Sequence, residues 1–207
     1  LNLLKQINHN NIPKLLNEGE TIIEKQKFAF LVYEFVSGET FTERLKREGT
    51  ISPYTAIPII IELLDAIEYL HNLTETVIHN GLNLNTIKLD YSEKRDKPIL
   101  TGFEQARTIQ QSGKSISIKY LSVFHAAPEL LNGIFIPQSD LFSVGAVLYH
   151  LLFGVPPFFN ENILNQPLNK QKGLLEVARS KPLDFTFANE NLIDEQIKNT
   201  LIKALSI

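Results

Sequence analysis

Apolar positions along the chain change their period several times. Leu1, Leu4 and Ile7 recur at helical spacing until His9-Asn10-Asn11 interrupts them, which predicts the tail of a helix over residues 1–8. Residues 12–16 and 28–36 read as strands. The second, FAFLVYEFV, is dense in aromatic and β-branched side chains and stops at Ser37-Gly38. A short helix is expected over Thr40–Glu48, ended by Gly49. Ser52-Pro53 places proline at a first helical position, and Ile57, Ile60, Ile61, Leu64 and Ile67 carry a helix to about Asn72. Pro58 lies inside that pattern. Its ring crowds the carbonyl four residues back, so a bend or a shortened first turn is expected. Short strands are expected at 86–90 and 98–101 and a loop over 104–126. A helix opening at Ser139-Asp140 should end at Gly154 before Pro156-Pro157, and a last amphipathic helix should begin near Asp194. A small strand-bearing part is thus followed by a mostly helical one, the two meeting near Ser37-Gly38, which predicts an α+β fold.

Composition narrows the function classes. The chain has 207 residues, 43% hydrophobic, enough for one domain with a real core. A formal net charge of -3 gives no reason to expect a nucleic-acid or anionic-membrane partner. The apolar runs are too short to span a bilayer, so no membrane insertion is expected. No charged segment followed by an apolar one marks a secretory signal. With no cysteine there is no disulfide framework and no thiolate chemistry, which fits a cytoplasmic location. The absence of methionine is expected of a piece of a longer protein or of a processed chain. No repeat, low-complexity tract or linker is visible.

Six segments, in order and at consistent spacing, resemble the protein-kinase family. LNLLKQINHNNI resembles the end of the αC helix, and FLVYEFVSGE the fifth strand and hinge. IEYLHN…VIHNGLNLNTIKLD resembles the αE helix and catalytic loop, and LTGFEQAR the metal-binding D-F-G segment. HAAPELL resembles the end of the activation segment, and SDLFSVGAVLYHLLFGVPPF the αF helix. The resemblance implies a partial kinase-like domain over 1–207. Residues 1–36 would be the remainder of the small lobe, and 37–207 the hinge and helical large lobe, incomplete at its C-terminal end. It also implies that the Gly-rich loop, the strand Lys and its αC Glu partner belong before Leu1.

At the chemical positions the resemblance brings a mismatch. Gly81 stands where the family has its catalytic Asp, and Asn83 where it has a Lys. Thr86 takes the place of the metal-binding Asn, Gly102 that of the D-F-G Asp, and Glu104 that of its Gly. Glycine supplies no carboxylate; losing general acid–base help alone costs about 10²–10⁴-fold, roughly 3–5 kcal/mol. Mg²⁺ needs hard oxygen ligands, which Gly102 cannot offer. Glu104 lies two residues on, where the chain is expected to turn away. Structural positions are matched better. Leu4, His79 and Phe103 match spine residues, and Asp140 matches the αF Asp that accepts backbone N–H groups from the catalytic loop; a helix N-cap role is the alternative for Asp140. Glu129 matches a Glu whose Arg partner would lie beyond Ile207; if the chain ends there, Glu129 is expected to lack that partner. Glu34 and Val36 are the hinge positions at which a nucleotide would bind. Lys88 falls on the strand face that floors the adenine site, where it would either meet the base or, on a displaced strand, face solvent.

Other signals carry less. Gly113-Lys114-Ser115 lacks the glycine a P-loop needs, because Thr108 stands there. Ser112, Ser115, Ser117 and Ser122 fall in the expected activation loop and read as a solvated polar segment or as phosphorylation sites. The five histidines show no metal-ligand spacing, and His71 and His150 read as helix-surface or packing residues. Glu93–Lys97 reads as an exposed turn. The resulting expectation is a catalytically impaired, pseudokinase-type signalling module that binds a protein partner or another domain of its parent chain, with no resident cofactor or metal. Two alternatives stay open: an active Ser/Thr-type kinase with an atypical site using ATP and Mg²⁺, and an ATP-binding switch without transfer.

Overall fold

A computed structural model describes residues 4–92, 95–109, 121–186 and 193–206, the side chains of Leu4 and Leu168 excepted. At the start, the expected helix tail is a single 3₁₀ turn at Leu4–Gln6. Strands β1 (Leu15–Ile23) and β2 (Gln26–Tyr33) form an antiparallel hairpin in which Ile23 pairs with Gln26. The two residues between, Glu24 and Lys25, both take positive φ (51° and 68°), the handedness a two-residue hairpin demands. The first strand was expected over 12–16 but starts at Leu15 and runs on to Ile23. Asn17-Glu18-Gly19-Glu20 has no apolar alternation, and pairing with the aromatic β2 holds it extended instead.

The helical part begins with β3 (Glu39–Thr40) and α1 (Phe41–Glu48). Thr40 caps α1: its hydroxyl accepts the Glu43 N–H (3.2 Å), while the Glu43 carboxylate accepts the Thr40 N–H (2.7 Å). Gly49, at φ 78°, ends it. Helix α2 (Pro53–His71) keeps its first turn and runs unbroken through Pro58. Strands β4 (Val77–Ile78), β5 (Ile87–Asp90), β6 (Lys97–Leu100) and β7 (Arg107–Thr108) build two small sheets, one ordered β3-β5-β6 and one pairing β4 with β7. After α3 (Pro128–Leu131), helix α4 (Pro137–Phe153) is buried on nearly every side and forms the centre of the core against α2.

Helix α4 starts two residues before the expected Ser139, because Pro137 is preset for a first helical turn. Its N-cap is Ile136, so the N-cap role considered for Asp140 does not hold; Asp140 lies within the first turn. Three further helices follow: α5 (Glu161–Leu164), α6 (Leu168–Arg179) and α7 (Glu195–Ala204). Gly145 lets α7 approach α4 closely; a Cβ there would lie 2.8 Å from the Ala204 Cβ. The strand-bearing first part and the mainly helical second part give the two-part α+β arrangement that the hydrophobic pattern predicts. Among the described residues no helix is long and apolar enough to cross a membrane. The Gly113-Lys114-Ser115 segment and Ser112, Ser115 and Ser117 lie outside the described residues, as do Glu93 and Lys94.

Candidate functional site

The site is organised around one buried carboxylate. Asp140, 1% exposed in the first turn of α4, receives three donors from other elements. The His79 N–H donates to Oδ2 (2.8 Å), the Asn80 N–H donates to Oδ1 (2.9 Å), and His71 Nε2 at the end of α2 lies 3.0 Å from Oδ2. His71 is therefore an anchor rather than a surface residue. Asn80 takes φ 59°, a conformation asparagine tolerates better than most side chains. Its amide donates to the Ile78 carbonyl.

His79 is fully buried, and burial holds its pKa below the usual 6.5, so the ring is neutral. Its partners fix the tautomer. Nδ1 accepts the Gly81 N–H (3.2 Å), which leaves Nε2–H to donate to the Thr101 carbonyl (2.9 Å). The ring meets Phe103 edge-on at 4.8 Å. Leu4, the third residue of the expected spine, has its side chain outside the described set.

Beyond this anchor the polar groups of the loop turn on one another. The Gly81 carbonyl accepts from Asn83 Nδ2 (2.8 Å) and from Thr86 Oγ1 (3.1 Å), and the Asn83 N–H donates to Thr86 Oγ1 (3.0 Å). Position 81 has room: an added Cβ would find only ordinary contacts at 3.5 Å and beyond. Position 102 does not. Gly102 adopts a left-handed conformation (φ 81°, ψ 41°), and an added Cβ would lie 2.5 Å from Thr86 Cγ2. The threonine methyl occupies the space an aspartate at 102 would enter.

Glu104 differs from its expectation. The chain does not carry it away: the 3₁₀ turn Phe103–Gln105 folds back, and Glu104 Oε2 lies 3.7 Å from the point where a Gly102 Cβ would be. Its charge reaches Tyr33, whose phenol is pushed up to about 12 by burial first and by Glu104 second. The Tyr33 hydroxyl is buried without a hydrogen-bond partner among the described residues. Tyr33 was not legible as a site residue, because it reads as one more aromatic in a strand. As a Mg²⁺ site the donor set fits poorly. Gly81 and Gly102 bring no side-chain oxygen, Thr86 Oγ1 is engaged within its own loop, and Glu104 alone brings a carboxylate. Among the described residues no group of three or more His, Cys, Asp or Glu is arranged to hold a metal.

The hinge segment is also self-engaged. The Glu34 carboxylate accepts the Lys14 N–H (3.2 Å), and the Glu34 N–H donates to the Lys14 carbonyl (2.9 Å). Lys88 Nζ donates to the Val36 carbonyl (3.1 Å) and lies 5.9 Å from the centre of the Phe35 ring. Strand β5 keeps regular register with β3 and β6, so no displaced strand carries Lys88 into solvent. With Tyr33, Glu34, Val36, Gly102 and Phe103 it lines a cleft of about 310 Å³.

Glu129 does not stand alone. Its Oε1 accepts the Ser139 hydroxyl at 2.7 Å, and it lies within electrostatic reach of Arg179. Arg179, 6% exposed on α6, donates to the Ala126 carbonyl (2.6 Å) and stacks over Phe142 at 5.1 Å. Burial lowers its pKa to about 10. His150 is half-buried and takes the packing role; its Nδ1 lies 3.1 Å from His125 Nε2.

A hinge cleft between a strand-bearing part and a helical part, above a loop pinned to a central helix, defines a kinase-like domain. The family description "protein kinase domain" matches residues 1–207, and the chain belongs to the protein kinase family. It is 31% identical over 161 residues to calcium-dependent protein kinase 4 of Plasmodium falciparum, covering 77% of this chain and 29% of that protein. It is 29% identical over 166 residues to calcium/calmodulin-dependent protein kinase type 1 of Caenorhabditis briggsae, covering 80% and 44%. It is 26% identical over 164 residues to myosin light chain kinase A of Dictyostelium discoideum, covering 79% and 53%. The chain thus spans roughly a third to a half of these relatives' lengths.

Proposed function

We propose that this kinase-family domain works in signalling or regulation by binding protein, and that it does not transfer phosphate. The observation that carries the reading is the contact at Gly102. At the position the resemblance gives to the metal-binding aspartate, the Thr86 methyl fills the space a side chain would enter. The absence of a carboxylate there is built into the packing. At Gly81 the missing base removes about 10²–10⁴-fold, and the missing metal stabilisation several kcal/mol more. The Lys88 ammonium on the Val36 carbonyl supports the same reading, since it puts a cation and an engaged hinge carbonyl in the lining of the cleft where an adenine would enter. A cytoplasmic setting accords with the cysteine-free chain.

A second reading, an active Ser/Thr-type kinase using ATP and Mg²⁺ through an atypical site, draws on one observation: the carboxylate of Glu104 beside Gly102. Calorimetric titration of the full-length protein with ATP, with and without Mg²⁺, followed by a transfer assay, separates the two. No heat at millimolar ATP and no phosphate incorporation are the results expected. Binding without transfer favours a nucleotide switch. Mg²⁺-dependent binding with transfer, lost in Glu104→Gln, overturns the proposal.

A further inference from the structure

On the large-lobe side of the 79–86 loop, a cleft of about 470 Å³ opens between α1, residues 83–85, residues 122–125 and the last turn of α4. Its polar lining includes Lys46, Asn83, Asn85, Ser122, His125 and His150, and no carboxylate. The acids of α1 are engaged elsewhere. Glu43 accepts the Thr40 N–H, and Glu48 pairs with Arg44 at 2.9 Å and with Arg47 at 2.8 Å. Lys46, by contrast, is exposed and makes no ion pair among the described residues. Asn85 is exposed as well.

The back of the cleft is a hydrogen-bonded chain. Ser122 Oγ lies 2.7 Å from His125 Nδ1, and His125 Nε2 lies 3.1 Å from His150 Nδ1, the two rings 18° from parallel. Burial keeps both rings neutral near pH 7. Three such groups share two hydrogen bonds, and either direction of the chain leaves one donor over. It is His150 Nε2–H if Ser122 donates, or the Ser122 O–H if His150 donates. The cleft therefore presents an ammonium, an amide and a spare N–H or O–H, with no anion to answer them.

We propose that this cleft docks an acidic, Asp/Glu-rich segment of a partner protein. Carboxylates supply the negative charge the lining lacks and accept charge-assisted hydrogen bonds from Lys46 and the spare donor. A basic segment brings cations against Lys46, with no carboxylate in the lining to offset them. The proposal rests on the interaction-module reading and gives it a class of partner.

The test is fluorescence anisotropy on the full-length protein, with a labelled Asp/Glu-rich peptide and its Lys/Arg-rich counterpart, before any nucleotide is added. The acidic peptide is expected to bind at least about tenfold more tightly and to weaken with salt. Lys46→Glu and Asn85→Glu, at exposed positions that the fold does not need, are each expected to cost about fivefold to tenfold at unchanged Tm. Equal binding of both peptides, or acidic-peptide binding indifferent to both substitutions, overturns the proposal and leaves the interaction-module reading in place. Phosphate appearing on the peptide once Mg²⁺-ATP is added overturns that reading, whatever the peptide preference.

Discussion

The two halves of the 79–86 loop follow opposite rules. Its first half is held by a buried carboxylate that accepts two backbone N–H groups and meets an imidazole, so charge and donors are matched deep inside the protein. Its second half holds no charge. Gly81, Asn83 and Thr86 satisfy one another within a few residues, and a methyl group lies against Gly102. The two halves thus meet different demands: the first relies on long-range, buried partners, the second on short-range bonds among its own neighbours.

The sharpest way to break the comparison is at the anchor. Asp140→Ala leaves two buried N–H groups and His71 without an acceptor, and is expected to cost about 3–5 kcal/mol in urea unfolding. A cost under about 1 kcal/mol would mean that the loop does not depend on α4. On the other side, Gly102→Asp forces a side chain into a left-handed backbone and against Thr86. It should cost about 2–4 kcal/mol and restore no phosphate transfer. Thr86→Ser, which keeps the hydroxyl and removes the methyl, should be nearly silent alone and should recover at least about 1 kcal/mol of that loss. Additivity in this double-mutant cycle would show that the methyl is not the obstacle.

Acid titration comes next. His125 and His150 have pKa values lowered by burial to about 3 and about 4. The unfolded chain therefore binds protons first as pH falls below about 6.5. Stability is full at neutral pH and is lost toward pH 4, by up to about 1.4 kcal/mol per pH unit for each histidine. His79, also buried and held neutral, adds to the same slope. Replacing His150 with Gln should flatten the slope of the urea midpoint between pH 4.5 and pH 6.5; an unchanged slope would assign it to other groups. The smallest effect is expected at Lys88. Lys88→Leu gives up one half-buried hydrogen bond, about 1 kcal/mol or less, and clears the hinge cleft. Saturation-transfer NMR with adenosine should show contact in the variant and none in the wild type.

What the sequence disclosed and what it hid divide along contact range. Helix α1 was readable because Thr40, Glu43 and Gly49 are its own local signals. Helix α2 was readable from Pro53 and the isoleucine stripe that follows. The full length of β1 was not, since Asn17–Glu20 is polar and Glu24-Lys25 is no customary hairpin turn; only pairing with β2 makes that stretch a strand. Helices α5 and α6 went unpredicted, α6 in part because Gly173 and its many polar residues blur the period. At the site, identities were readable and geometry was not. Gly81 and Gly102 announced missing carboxylates, but the return of Glu104, the Lys88–Val36 bond and the Ser122–His125–His150 chain join residues whose meeting no local pattern encodes.

The methyl of Thr86 against Gly102 also shapes the mutational neighbourhood of this protein. A lone aspartate at 102 meets steric resistance, and a lone change at 86 brings no carboxylate. Each step toward a metal-binding site is unrewarded without the other. The contact couples positions 86 and 102, so that room for a carboxylate at 102 opens only when both change.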